Sequence, residues 1–218
     1  MAHIHLGDGS FSLIWVIAWW AAMVVIVGIS LVWLRRGGPV DNRRITMAAF
    51  CTAAAFAVFQ VEIPLFGGVH LNLTPLIGIL TGPTIGTLIA LIVNVLSAAI
   101  GHGGWGLIGA NTIINIVEIT SAYGIYRVLG SLLRGTFSRA GIATLGALTL
   151  GNGAMVAIIL ISGIQGVSQT TAQILSGLAI LVAINLGVAV VEVLLTGYIV
   201  QYIRRVHPDM LPGGRDHP

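Results

Sequence analysis

The chain has 218 residues, of which 56% are hydrophobic and only 8% are charged, and its mean hydropathy is +0.99. This composition excludes a water-soluble globule of this size, so lipid is the expected solvent. The net charge of +3 is carried by arginine clusters without any lysine, and their position between apolar runs is typical of membrane topology and not of nucleic-acid binding.

Apolar runs bounded by Gly, Pro and Arg predict an all-α, polytopic transmembrane bundle that forms a single domain over residues 1–218. A shorter segment at 71–81, between Pro64 and Pro83, covers about half of the hydrocarbon core and is expected inside the bundle. No cleavable signal is expected, because residues 1–10 contain no Lys or Arg. The one cysteine, Cys51, excludes an intrachain disulfide. The long helices are expected at 11–34, 45–61, 84–100, 107–130, 140–162 and 173–203.

The arginines fix the expected topology, because basic residues are retained on the cytoplasmic side of a membrane. With the N-terminus outside and about seven crossings, every arginine falls on the inner face, together with the tail at 204–218. The outer face receives residues 1–10 and the loops at 62–70, 101–106 and 163–169. Of the histidines, this prediction assigns His3, His5, His70 and His102 to the outside and His207 and His217 to the tail.

The start of the sequence, Met1-Ala2-His3, can chelate a transition metal with backbone nitrogen. If Met1 is removed, the Ala2 amine, the His3 amide nitrogen and the His3 imidazole offer three nitrogens in fused rings. A fourth nitrogen, for which we propose His70, completes a plane that suits Ni²⁺ or Cu²⁺ better than Zn²⁺. If Met1 is retained, its amine joins the set and His70 becomes redundant or axial.

Several motifs carry a family resemblance across nearly the whole chain. They are the opening His3–Gly9, the segment Phe59–Leu65 with Gly67–His70, the pair Gly82-Pro83, the run Gly109–Asn111 with Asn115, and Glu192 with Thr196 before Pro208–Leu211. On these motifs the sequence resembles the CbiM and NikM proteins, the cobalt and nickel substrate-binding subunits of energy-coupling-factor transporters.

The resemblance implies a metal site made of Ala2, His3 and His70, with Met1 taking part if it is retained. The sequence departs from the family pattern by one inserted residue, because the family begins Met-His and this chain begins Met-Ala-His. Excision of Met1 restores the family spacing. It also implies Ni²⁺ or Co²⁺ as the transported substrate, without an organic cofactor. His5 has no counterpart in the pattern.

Further polar residues have two readings each. His102, Asn111 and Asn115 are candidates for support of the site or for metal entry, and the two asparagines also fit simple interhelical hydrogen bonding. Glu118 and Glu192 are intramembrane acids that fit either a cation relay or a hydrogen-bonded structural carboxyl.

The partners follow from the same resemblance. The sequence has no Gly-x-x-x-x-Gly-Lys loop, so the chain is not expected to be an enzyme and ATP-binding cassette ATPases must supply the energy. A transmembrane coupling (T) subunit is expected to dock on the strip Ala49, Ala53 and Ala57, for which internal packing is the alternative. A small accessory membrane subunit is a further implied partner.

The expected location is the prokaryotic plasma membrane, in contact with the lipid bilayer and not with nucleic acid. Two other functions remain open from the sequence: a vitamin-type substrate-binding component of the same transporter class, and a metal-independent membrane scaffold.

Overall fold

The computed structural model describes residues 8–38, 40–63, 69–165 and 171–211, with only the backbone described at 62, 63, 69, 171 and 209. Within these ranges the protein is all-α apart from one small hairpin. Four helices are long and apolar enough to cross a membrane: Leu13–Arg36, Thr74–Ala99, Thr136–Ser162 and Ala172–Val206. In chain order the elements are α1 (Leu13–Arg36), α2 (Asn42–Phe59), β1 (Glu62–Ile63), β2 (Val69–His70), α3 (Thr74–Ala99), α4 (Ile108–Val128), α5 (Thr136–Ser162) and α6 (Thr171–Val206), with short 3₁₀ turns at Trp105–Leu107 and Pro208–Met210.

The six predicted long helices are present, but their boundaries differ by a few residues. α1 ends at Arg36 instead of at residue 34, and α5 begins at Thr136 instead of at 140. A prediction from apolar runs stops short of these polar ends, because the helical hydrogen bonding of the backbone continues into polar first and last turns. Basic side chains in the last turn of a helix also stabilise its C-terminus. Arg139, in the first turn of α5, packs with its guanidinium carbon 3.8 Å from the centre of the Tyr126 ring.

The predicted short segment forms the first arm of α3, which folds back on itself at Gly82. Gly82 has φ 75° and ψ 174°, a non-helical conformation that glycine adopts without strain, and Pro83 follows it. A straight helix of 26 residues would be about 39 Å long. The residues flanking its two ends nevertheless meet, because the Nε2 atoms of His70 and His102 are 3.1 Å apart.

Close helix contacts hold this folded arm against α4. A Cβ on Gly78 would lie 3.0 Å from the backbone carbon of Ile119, and a Cβ on Gly86 would lie 2.6 Å from the Cγ2 atom of the same residue. Two glycines, one on each side of Gly82, therefore let both arms of α3 approach the same point on α4. The small residues at this crossing follow the packing rule of membrane helices.

Among the described residues, Arg43, Arg127 and Arg204 lie towards one end of the bundle, which we call the arginine end. A cavity of about 530 Å³ there is lined by Gly37 at the end of α1, Arg43 in α2, Gly82 in α3 and Arg127 in α4. Arg204, near the end of α6, donates a hydrogen bond to the Thr136 hydroxyl at the start of α5. The opposite end contains the end of α2, the start of α4 and the loop between α3 and α4 that includes His102.

That opposite end, which we call the histidine end, is held together by hydrogen bonds and side-chain packing. The Gln165 N–H donates to the Ser10 carbonyl over 2.8 Å, so the C-terminus of α5 meets the N-terminus of α1. The Trp20 indole donates to the Trp105 carbonyl over 3.2 Å. Phe11 is buried against Leu107 in the same region. The first described residues are thus packed and hydrogen-bonded against the histidine end of the bundle.

Candidate metal centre

Two imidazoles meet at the histidine end. His70, the last residue of β2, is fully buried, and His102, in the turn after α3, is half-buried. Their Nε2 atoms are 3.1 Å apart, and the ring planes are nearly perpendicular at 84°. The sequence assigned both residues to the same face but did not predict that they touch.

Phe59, at the C-terminus of α2, forms the apolar wall of this pair. Its ring centre lies 5.3 Å from that of His70 and 5.1 Å from that of His102, the latter edge to face. Phe59 is itself 1% exposed, so its ring is held by close packing. In the sequence Phe59 belongs to a family motif, but this contact was not predicted, since it depends on how α2 packs against the turn after α3.

The His70 strand is held in place by Asn72, two residues on. The Asn72 N–H donates to Glu192 Oε1 of α6 over 3.0 Å, and its side-chain amide donates to Asn115 Oδ1 over 3.1 Å and to Glu118 Oε2 over 3.3 Å. Thr74 also donates to the Glu118 carboxyl group. One asparagine therefore connects the strand to both α4 and α6.

Backbone strain marks the junction between this strand and α3. Leu73 has φ 56°, in the left-handed region, where a residue with a Cβ costs roughly 1–2 kcal/mol. It is buried among Leu76 and other core side chains, and that packing holds it in place. The strained residue lies directly between Asn72 and Thr74, so the network described above fixes an otherwise unfavourable turn.

Asn111, Glu118 and Glu192 can now be located. Asn111 is buried in α4, one turn before Asn115, and Asn115 supports the His70 strand through Asn72. Both acids are fully buried and accept hydrogen bonds from the strand region. Both acids are thus hydrogen-bonded to the residues that follow His70. Asn72 was not singled out from the sequence, because its role depends on contacts with α4 and α6 that the local sequence does not indicate.

The segment before α1 is fastened beside His102. The carboxylate oxygen Oδ1 of Asp8 accepts a hydrogen bond from the Gly106 N–H over 2.8 Å. A Cβ on Gly104 would lie 2.9 Å from the Asp8 carboxyl carbon, so only glycine leaves room for this contact. Met1, Ala2, His3 and His5 lie outside the described residues, as does His217.

The alanine strip of α2 faces outward. Ala49, Ala53 and Ala57 are all exposed, whereas Cys51, Ala55 and Phe59 form the buried face of the same helix. The strip therefore does not pack inside this chain. Among the described residues, no group of three or more His, Cys, Asp or Glu side chains is arranged to hold a metal.

Comparisons with known proteins agree on one family. A family model described as "Cobalt uptake substrate-specific transmembrane region" matches residues 5–210. The chain is 31% identical over 111 residues to a cobalt transport protein CbiM of Salmonella typhimurium, which covers 50% of this chain and 45% of that protein. It is 30% identical over 130 residues to a cobalt transport protein CbiM of Carboxydothermus hydrogenoformans, which covers 58% of this chain and 53% of that protein. The chain thus spans about half the length of these curated relatives.

Two solved structures share the fold. One, described as a transition metal transporter, has a TM-score of 0.75 and 19% identity over 93% of both chains. The other, described as a truncated transition metal transporter, has a TM-score of 0.79 and 20% identity, and covers 94% of this chain and 100% of that one.

Proposed function

The chain belongs to the CbiM family of cobalt uptake transmembrane regions, and from that premise we propose that it captures Ni²⁺ or Co²⁺ as the substrate-binding subunit of an uptake transporter. It is a multi-pass membrane protein and a non-catalytic component. The observation that carries the proposal is the buried His70, held by Asn72 beside the anchored N-terminal segment.

The proposed ligands are the Ala2 amine, the His3 amide nitrogen and imidazole, and His70, with Met1 included if it is retained. The tie between Asp8 and Gly106 supports this set. His3 lies five positions before Asp8, and an extended chain of five steps spans at most about 17 Å. Because Asp8 is fixed close to His102 along the loop, that span is enough to bring His3 to the histidine pair. The ion is the transported substrate, and imidazole and amine nitrogens are suitable donors for both metals.

The proposed orientation has the N-terminus outside and the C-terminus in the cytoplasm. The grouping of Arg43, Arg127 and Arg204 at the arginine end supports it, since arginines are retained on the inner side. The fold-back at Gly82 supports a count of about seven crossings, because the short arm of α3 runs inward from the middle of the bundle and the long arm returns outward. The exposed apolar side chains of α1, such as Leu13 and Ile14, are suited to lipid.

Partner subunits complete the proposed transporter. The exposed strip of Ala49, Ala53 and Ala57 offers a smooth surface on which a transmembrane coupling subunit can approach closely. ATP-binding cassette ATPases would drive release of the ion inside, with a small accessory membrane subunit as a further partner. The plasma membrane of a prokaryote is the proposed location.

The test is metal titration of the purified chain in detergent. We expect one tightly bound Ni²⁺ or Co²⁺ per chain, a loss of affinity of at least about 100-fold in His70→Gln, and no change in His207→Gln, an exposed histidine beyond α6. Equal affinity of the His70→Gln variant and the unsubstituted chain would overturn the proposal. Binding of an organic vitamin without metal, or of neither ligand, would identify the two alternative functions.

A further inference from the structure

The cavity at the arginine end carries an excess of positive charge. Its volume is about 530 Å³, which is within the range of sites that hold small molecules. Three guanidinium groups, those of Arg43, Arg44 and Arg127, and one carboxylate, that of Asp41, belong to the described lining, which gives it a net charge of +2. A basic pocket between membrane helices is a typical binding site for the phosphate of a lipid headgroup.

The first turn of α2 adds to this positive potential. Arg43 and Arg44 are the second and third residues of the helix, its first turn contains no acid, and the Asp41 side chain makes no capping hydrogen bond. A helix N-terminus has a partial positive charge, so cations there are destabilising and an anion is stabilising. Sequence and helix dipole therefore both place positive charge where an anion is the stabilising partner.

Arg127 lines the cavity from α4, beside Tyr123. It donates a hydrogen bond of 3.1 Å to the Tyr123 hydroxyl, and its guanidinium carbon lies 5.6 Å from the centre of that ring. Among the residues that the structure describes, no acid forms an ion pair with Arg44 or Arg127. A guanidinium has five N–H donors in a planar fork that matches the oxygens of a phosphate. These two arginines, one from α2 and one from α4, are therefore suited to bind a phosphate group.

Apolar side chains form the other walls of the cavity, and they indicate which kind of phosphate fits. Leu34, Met47, Leu80 and Ile85 line it and belong to one hydrophobic cluster. Trp33 lines it from α1 and is 67% exposed, which is typical of an aromatic residue at the surface of a bilayer. A soluble phosphate makes no use of such walls, whereas a phospholipid joins a phosphate to apolar chains.

We infer that this cavity binds the headgroup phosphate of an anionic phospholipid, with Arg44 and Arg127 as donors and Trp33 beside the acyl chains. The inference is independent of the metal site. Gly82, where α3 folds back, lines the same cavity, so a bound headgroup contacts α1, α2, α3 and α4 where they meet. A ligand that binds only the folded chain raises its thermal midpoint.

The experiment uses the full chain, freed of lipid in a neutral detergent and then supplied with dioleoyl phosphatidylglycerol or dioleoyl phosphatidylcholine. Native mass spectrometry counts the retained lipids, and thermal unfolding measures the stabilisation. We expect phosphatidylglycerol to be retained at one molecule per chain and to raise the midpoint. Phosphatidylcholine, whose headgroup has no net charge, should do neither. Equal retention of the two lipids by the unsubstituted chain would overturn the inference without any variant.

Two matched double variants test the assignment of the arginines. Arg44→Gln with Arg127→Gln should weaken phosphatidylglycerol binding about 30-fold, because each basic residue near a bilayer surface contributes roughly a factor of five. Arg134→Gln with Arg205→Gln removes the same charge from two exposed arginines outside the cavity lining, and should change binding by no more than about twofold. An equal effect of the two double variants would indicate only a general attraction between charges, and the site would be wrong.

Inorganic phosphate distinguishes a lipid headgroup from a soluble anion that carries the same group. We expect millimolar inorganic phosphate neither to raise the midpoint of the lipid-free chain nor to displace phosphatidylglycerol from it. If inorganic phosphate stabilises the chain as strongly as phosphatidylglycerol and displaces it, the ligand is a soluble phosphate and the lipid assignment is refuted.

Discussion

Removing the Asp8 carboxylate should weaken metal binding without unfolding the bundle. Its Oδ1 accepts a 2.8 Å hydrogen bond from Gly106, and this bond anchors the segment that carries the proposed N-terminal ligands. A charge-assisted hydrogen bond contributes roughly 1.5–3 kcal/mol when it is buried, and solvent reduces that for an exposed residue such as Asp8 to about 1 kcal/mol. Because the bond orders the segment before the ion arrives, its loss should appear in the binding free energy.

We therefore expect Asp8→Ala to weaken Ni²⁺ or Co²⁺ binding about fivefold, since 1.4 kcal/mol corresponds to a factor of ten. The assay is titration with each ion, together with thermal unfolding of the metal-free protein, whose midpoint should not change. Asp41→Ala is the matched control, because Asp41 is an exposed acid at the arginine end that lines the cavity there. If Asp8→Ala and Asp41→Ala have the same affinity, the anchored segment does not contribute to binding and the reasoning is refuted.

Three further predictions follow from packing, surface and protonation. Gly151→Ala should lower the free energy of unfolding by roughly 1–3 kcal/mol, because a Cβ there would lie 2.7 Å from the carboxyl carbon of Glu118. The control Gly153→Ala, whose Cβ would meet nothing within 4 Å, should be neutral or stabilising by up to about 1 kcal/mol. Thermal unfolding in detergent compares the two variants, and equal midpoints would contradict the close contact. Ala53→Trp should reduce co-purification of the coupling subunit and leave metal affinity unchanged. Ala183→Trp, at an equally exposed position on α6, should leave co-purification unchanged. If the Ala53→Trp variant retains the complex, the alanine strip is not the docking surface. Metal affinity should fall as the pH is lowered from about 8 to about 6, because amine, amide and imidazole nitrogens bind metal only without their protons, and titrations that give the same affinity across this range would argue against nitrogen ligation.

The helices were predictable from the sequence because each is long and almost free of charge, and the short arm of α3 was predictable from the position of Gly82 and Pro83. Helix ends were less certain, since polar turns continue a helix without an apolar signal. Arg43 and Arg127, which the sequence assigned to one face, line the same cavity, whereas the side of the membrane on which they lie stays a prediction.

The inner walls of the site could not be predicted, because they depend on contacts between residues far apart in the chain. Asn72 reaches Glu192 across 120 positions, and Phe59 packs against one histidine at the end of β2 and another in the turn after α3. Local periodicity carries no information on such contacts. The sequence assigned His70 and His102 to the same side of the membrane, but it did not indicate that their Nε2 atoms are in contact.

The central claim is that the free N-terminal amine and His70 bind the same metal ion. The most direct test compares the metal affinity of the chain with that of a variant carrying one additional residue at its N-terminus. Intact mass first establishes whether Met1 is present. The account predicts one Ni²⁺ or Co²⁺ per chain for the free amine, and a loss of about 100-fold or more in affinity for the extended chain. Equal affinity of the two forms would contradict it.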